Sequence, residues 1–174
     1  MRFSTIFTVL AVGAMAFAGA VPEIVAKRSI TDITNAFNDL SNKCDTILSK
    51  FDNCWDDTCS DAIVVELVGA IDVCTTSLGG LTGGLGTPAL ATVVANVVIK
   101  IADSLDVHKT KCGSRCPNLL TTYGKVDVSL SACLTVCFNL CIGLAVLVSA
   151  LLVNLVVLLK GISLFLVLKV CLLV

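Results

Sequence analysis

The chain has 174 residues, of which 56% are hydrophobic and only 14% are charged, and its formal net charge is −1 at pH 7. This length allows one domain, or a small domain with an attached apolar segment. The hydrophobic share is above that of a typical globular protein and the charged share is well below it, so disorder is excluded. No run of Lys or Arg forms a basic stripe, which excludes the usual electrostatics of nucleic-acid binding.

Residues 1–20 have the pattern of a secretory signal peptide. Arg2 precedes an apolar run, and small residues ending at Ala20 follow it. Residues 21–28 then end in Lys27 and Arg28. This dibasic pair is either the cleavage site of a short pro-segment or two ordinary charges. If both cuts occur, the remaining chain carries 9 Lys and Arg against 12 Asp and Glu.

Secretion predicts a structural role for the cysteines. Ten cysteines in a chain sent to an oxidising compartment are expected to form disulfides. Each bridge stabilises a fold by about 2–4 kcal/mol. The candidates are Cys44, Cys54, Cys59, Cys74, Cys112, Cys116, Cys133, Cys137, Cys141 and Cys171.

Residues 29–78 are predicted to form a helical hairpin. From Ile30 to Cys54 apolar residues recur every three or four positions, which is typical of an amphipathic helix. Cys44 and Cys54 lie on its apolar side, and we expect them to bridge a facing helix. Residues 52–60 are rich in turn-forming side chains, and Ser60 or Asp61 is predicted to cap the second helix.

The acidic residues of that turn do not predict a metal site. Asp56, Asp57 and Asp61 lack the ligand spacing and the central glycine of a calcium-binding loop. A solvated acidic turn is the preferred interpretation.

Residues 79–86 are glycine-rich and predict a flexible connector lying against apolar surface. A phosphate-binding loop would need a preceding strand and a following lysine with serine or threonine, and neither is present. Thr87 and Pro88 then predict the start of a third helix, with a capping hydroxyl and a proline at the first position. This helix is expected to end near Cys112.

His108, Cys112 and Cys116 are spaced by four residues. A structural zinc site needs four ligands, so no metal and no other cofactor is expected. The preferred interpretation joins two antiparallel helices across a loop over residues 117–124. It pairs Cys116 with Cys133 and Cys112 with Cys137, provided that the Cα atoms approach within about 4.4–6.8 Å.

Val128–Leu159 contains no charged residue, and it is predicted to form one long helix. One hypothesis places it inside a bundle, where Asn139, Ser149 and Asn154 would need partners and some apolar surface would stay exposed. The other makes Leu140–Leu159 a membrane span, since about 20 apolar residues cross a bilayer. Residues 87–174 thus comprise a helix, a cysteine-bearing loop and apolar C-terminal helices.

An enzyme is not expected. The chain has one histidine, no Gly-x-Ser-x-Gly elbow and no Cys-x-x-Cys redox pair. The sequence therefore predicts an all-α, disulfide-stapled helical bundle with a strongly apolar C-terminal helix.

A signal peptide, a dibasic site, many cysteines, small size and high hydrophobicity together resemble the small secreted cysteine-rich proteins of fungi. Hydrophobins in that group have adjacent cysteine pairs, and this chain has none. The two N-terminal helices look like those of the hydrophobic-surface-binding proteins of filamentous fungi, which coat apolar material.

These features lead to three functional hypotheses. The first is a secreted or cell-surface structural protein that presents apolar surface to a cell wall, an air–water boundary or a lipid layer, with possible self-association. The second is a membrane-anchored protein with a helical, cysteine-rich ectodomain. The third is a secreted effector or signalling protein. No nucleic acid and no small-molecule substrate is expected in any of them.

Overall fold

The computed structural model describes residues 29–173 and confirms an all-α fold. The helices are α1 (residues 29–48), α2 (Asp57–Leu78), α3 (Pro88–Cys112), α4 (Leu119–Leu140), α5 (Leu144–Leu152), α6 (Val156–Gly161) and α7 (Phe165–Val170). Short 3-10 turns cover Ser49–Asn53, Gly113–Arg115 and Val153–Leu155, and the two-residue strands β1 (Gly84–Leu85) and β2 (Cys141–Ile142) pair in parallel. The predicted signal peptide and pro-segment, including Ala20, Lys27 and Arg28, lie outside the described residues.

The predicted N-terminal hairpin is present, with corrections to the end of its first helix and to the cap of its second. Helix α1 ends at residue 48, and the 3-10 turn Ser49–Asn53 occupies the rest of the stretch predicted as helix up to Cys54. The apolar side of α1 is buried as its periodicity predicts, and the same is true of α2. Asp56, not Ser60 or Asp61, caps α2, because its side chain accepts a hydrogen bond from the Cys59 amide at 2.8 Å. Lys50 and Glu66 form an ion pair between the 3-10 turn and α2.

The glycine-rich segment is not merely a flexible connector, since β1 is part of it. The Gly86 amide donates to the Ile142 carbonyl at 2.9 Å, next to the pairing of β1 with β2. A side-chain carbon at Gly83 would overlap the Leu140 carbonyl oxygen. Glycine there permits a close backbone approach, and the segment holds the C-terminal end of α4 in place.

Helix α3 follows its prediction. The Thr87 hydroxyl accepts from the Leu90 amide at 3.2 Å, Pro88 occupies the first turn, and the helix ends at Cys112. Buried apolar residues line one side of α3 along its length, while Thr92 and Asn96 are exposed.

The prediction of one helix over Val128–Leu159 is wrong. Helix α4 begins earlier, so that Gly124 lies inside a helix and not in the predicted loop. It stops at Leu140, where β2 pairs with β1, and Gly143 adopts the left-handed conformation (φ 80°). The helical path resumes at Leu144, after a residue that can take this left-handed conformation without a steric clash because it has no side chain.

The seven helices of residues 29–173 share one hydrophobic core. Helix α4 packs against α2, α5 packs against α3, and α7 returns to α4. Lys100 of α3 pairs with Asp45 of α1 at 2.7 Å, so α1 borders both α2 and α3. Asn139 and Asn154 are exposed and Ser149 bonds the Val146 carbonyl, so these polar groups do not need partners in the core.

Candidate functional site

The cysteines are brought together differently from the predicted pattern. Cys54 and Cys59 form a disulfide with a Cα separation of 5.7 Å, which ties the 3-10 turn to the first turn of α2. The expected bridges from Cys54 and Cys44 to a facing helix are therefore wrong, since Cys54 bonds Cys59 and Cys44 is a buried free thiol. The local bridge from Cys54 to Cys59 forms because the chain reverses between these two residues.

Cys112 and Cys116 lie against each other, with 2.7 Å between their sulfur atoms. The predicted pairs Cys116–Cys133 and Cys112–Cys137 are not formed. The reason is that α3 ends at Cys112 and the turn over Gly113–Arg115 folds Cys116 back onto it.

Cys133 instead meets Cys74, across the contact between α4 and α2. A hydrogen bond to Cys133, together with burial, raises the pKa of Cys74, so its thiol stays protonated as the donor of this pair. Helices α2 and α4 pack closely against each other, and both cysteines are buried in this contact.

The other cysteines are buried thiols. Burial raises the pKa of Cys44 to about 11 and that of Cys171 to about 12. Burial and the neighbouring thiols of Cys141 and Cys133 raise the pKa of Cys137. Burial also raises the pKa of Cys141, against the opposing effect of a hydrogen bond with the Gly84 backbone. Reactive cysteines have lowered pKa values, so these residues contribute to packing.

A polar cluster around His108 was not predicted from the sequence. The Tyr123 hydroxyl donates to the Leu105 carbonyl at 3.0 Å and therefore accepts from His108 Nδ1 at 2.9 Å. The other ring nitrogen of His108 lies 3.2 Å from the Cys112 sulfur, and the Phe51 ring stacks on the imidazole at 4.2 Å. The available signal for this cluster was Tyr123, because a buried tyrosine needs a hydrogen-bond partner for its hydroxyl group.

The His108–Cys112 contact has the spacing of a base and a nucleophile, but its surroundings differ from those of an active site. Both side chains are buried, and burial raises the pKa of the Cys112 thiol to about 11. Burial also lowers the pKa of His108, which keeps the imidazole neutral. The cluster thus acts as a hydrogen-bonded part of the core.

Asp127 caps a distant helix, a role that was not predicted from the sequence. Its buried carboxylate accepts hydrogen bonds from the amides of Leu166 and Val167, both at 2.9 Å. These amides open α7, so a side chain on α4 caps a helix that lies about forty residues later. A negative charge at a helix N-terminus is stabilising.

The segment Leu144–Gly161 is the unusual part of the molecule. By length and composition these 18 residues could cross a membrane, yet only 22% of them are buried. The buried ones form one line that faces α3: Leu144, Val148, Leu152 and Leu159. In a typical surface helix the opposite side is polar, whereas here it is apolar.

We use the name C-terminal apolar surface for the exposed large apolar side chains of residues 142–172. Val157 is 83% exposed, and the aromatic ring of Phe165 is more than half exposed. The expectation that some apolar surface stays uncovered is therefore confirmed. Its members are Ile142, Val146, Leu151, Val153, Val157, Phe165, Leu166 and Leu172.

Other features of residues 29–173 are weaker candidates for a functional site than the C-terminal apolar surface. A cleft of about 330 Å³ between α1 and α3 is crossed by the Lys100–Asp45 and Lys111–Asp52 ion pairs. Within this part of the chain, no group of three or more His, Cys, Asp or Glu residues is arranged to hold a metal ion.

The C-terminal apolar surface is thus the candidate functional site, and the cysteine pairs and the Asp127 cap support the scaffold that presents it. No protein-family model matches the chain, and no curated protein matches it either.

Proposed function

We propose that this is a secreted, non-enzymatic, surface-active protein that presents its C-terminal apolar surface to a cell wall, an air–water boundary or a lipid layer. The observation that carries the proposal is the low burial of Leu144–Gly161, an apolar segment with 22% of its residues covered. Contiguous exposed apolar patches above a few hundred Å² usually mark an interaction site.

The energetics of apolar burial support adsorption. Complete transfer of a Val or Leu side chain from water stabilises by about 1.5–3 kcal/mol. Val153 and Val157 are already held in place by the helix backbone, so they lose little freedom on contact. A few such side chains give a favourable free energy at any apolar phase.

The remainder of the molecule forms a scaffold that stays folded during adsorption. Helices α1 to α4 have a continuous buried core, and the Cys54–Cys59 disulfide fits an oxidising destination. The scaffold does not need the exposed faces of α5 and α6 for its own packing.

A membrane-anchored protein with a helical ectodomain is the second candidate, because Leu144–Gly161 is long enough to span a bilayer. Spanning would require this segment to leave α3, where Leu144 and Val148 are fully buried. Adsorption needs no such rearrangement, which favours the first candidate.

Adsorption of the purified protein to alkyl-coated particles tests the proposal. Replacing Val153 and Val157 by serine removes exposed apolar area without adding charge, and we expect about tenfold weaker adsorption. The matched control is Val65→Ser with Val73→Ser, which alters two exposed valines on α2. Equal adsorption of both double variants would refute the proposal.

Deleting the C-terminal region is a poorer test, because Ile162, Leu164 and Val167 belong to the core. Alkaline carbonate extraction of expressing cells separates the two candidates. Release into the supernatant supports the surface-active protein, and retention in the membrane pellet supports the anchored one.

A further inference from the structure

We infer that the C-terminal apolar surface binds an anionic lipid layer, with Lys160 and Lys169 at the lipid headgroups. This inference rests on the proposed function and names the partner of the same surface. Three observations support the inference: the distribution of charge along the chain, the positions of the two lysines, and the ion pairing of the lysines.

Charge is strongly segregated along the chain. Residues 29–127 hold seven Lys and Arg against twelve Asp and Glu, a net charge of −5. Residues 128–174 hold no acidic side chain, and their two charged side chains are Lys160 and Lys169, a net charge of +2. The C-terminal stretch therefore carries positive side chains alone in an otherwise acidic chain, and the one carboxylate shown against α7, that of Asp127, is buried.

Both lysines lie beside exposed apolar residues. Lys160 follows Val157 by three residues in α6, and Lys169 follows Phe165 by four in α7, so each pair shares a helix face. Both lysines are exposed. A lysine at such an edge lays its methylene stem on apolar surface and extends its ammonium group toward headgroups.

The ion pairing of the lysines differs between the two regions. Neither Lys160 nor Lys169 has an acidic partner among residues 29–173. Four of the six lysines in residues 29–127 are instead paired with carboxylates within 2.7 Å: Lys50, Lys100, Lys111 and Lys125. Of the other two, Lys109 donates to the Gly161 carbonyl at 2.6 Å, and Lys43 forms no ion pair within the described residues. The ammonium groups of the C-terminal region are thus left available for an external anion.

A phospholipid layer fits this combination better than a second copy does. A symmetric dimer through this face would bring four lysines together without a carboxylate between them. A helix face with apolar side chains flanked by lysine is typical of segments that lie in a lipid interface. Repulsion of the acidic region by anionic lipid would hold the protein in one orientation.

Vesicle flotation tests the inference. Vesicles of phosphatidylcholine are compared with vesicles that also contain phosphatidylglycerol, at low and at high salt. We expect tighter binding to the anionic vesicles, weakened by salt. Each of Lys160→Gln and Lys169→Gln is expected to reduce that preference roughly fivefold, since each removes one surface cation.

The control is Lys43→Gln, which removes an exposed lysine from α1 and should leave the preference unchanged. Equal binding to both kinds of vesicle, with adsorption to alkyl particles retained, overturns the lipid inference and leaves the proposed function intact. Failure to bind either vesicles or alkyl particles overturns both. Concentration-dependent dimerisation without vesicle binding overturns the lipid inference in favour of a second copy.

Discussion

Asp127 links two distant parts of the chain through one carboxylate. Its two oxygens accept from Val167 and Leu166, in a site that solvent hardly reaches. Removing a helix cap typically costs about 1 kcal/mol, and leaving buried donors without acceptors costs more.

We therefore expect Asp127→Ala to lower the free energy of unfolding by about 2 kcal/mol, because two amides lose their acceptors. Denaturant unfolding measures the change, and amide hydrogen exchange at Leu166 and Val167 localises it. Asp39→Ala, at an exposed position on α1, is the matched control and should change stability little. A loss of similar size in both variants would argue against this role of Asp127.

His108 makes stability depend on pH in a definite direction. Burial lowers its pKa in the folded protein below the ordinary value of about 6.5. As pH falls through that value, the unfolded chain binds a proton that the folded chain does not, so stability declines. We expect a lower free energy of unfolding at pH 5.5 than at pH 7.5, and a smaller decline in His108→Gln. An equal decline in both proteins would contradict this assignment.

These residue contacts were not predictable from the sequence. His108 and Tyr123 meet because the turn after α3 brings α4 alongside, and no local pattern encodes that meeting. From the sequence, Asp127 would be interpreted as an ordinary solvated charge. Its hydrogen-bond partners lie in a distant segment whose position in the fold cannot be predicted from local periodicity. The zinc alternative for His108, Cys112 and Cys116 rested on their spacing, and spacing does not show whether side chains are buried.

At the scale of elements, the pairing of β1 with β2 decides where α4 ends. Val128–Leu159 has no internal proline or charged residue, so the sequence predicts one helix. Within this stretch, only Gly143 indicates a break in the helix. The break depends on a segment sixty residues earlier. By contrast, Thr87 and Pro88 act locally, which is why the start of α3 was predictable.

Substitution at Gly83 tests this pairing. Gly83→Ala places a methyl group on the Leu140 carbonyl oxygen, so we expect a loss of about 2 kcal/mol or more in stability and faster amide exchange at Gly86. Gly80→Ala is the control, because nothing lies within 4 Å of a side chain there. That variant should be neutral or slightly stabilising. Equal stability of the two variants would show that the close approach is unimportant.

The cysteine pattern makes a separate prediction about covalent links. Trypsin cuts after Lys111, Arg115 and Lys125, so a Cys112–Cys116 bridge joins peptide 112–115 to peptide 116–125 under non-reducing conditions. We expect that linked mass to disappear on reduction. A link from peptide 112–115 to peptide 126–160 would instead support the pairing that the structure rejects. A link between peptide 51–100 and peptide 126–160, assigned by fragmentation to Cys74 and Cys133, would show a bridge between these two residues.

At the scale of the whole molecule, the sequence predicted an excess of apolar surface but not its position. Counting residues shows that the C-terminal third exceeds what three helices can cover. The structure shows that one line of side chains on Leu144–Gly161 faces α3 and that the opposite side is left open. Along the chain, residues 29–127 carry an excess of acidic side chains, whereas Lys160 and Lys169 are the only charged side chains of residues 128–174.

Amide hydrogen exchange, with and without alkyl-coated particles, tests most directly whether the C-terminal apolar surface is the contacting face. We predict slower exchange on the particles within residues 144–172 and unchanged exchange within α2, because adsorption excludes water from the contacting face alone. Slower exchange in α2, with no change in residues 144–172, would contradict the account.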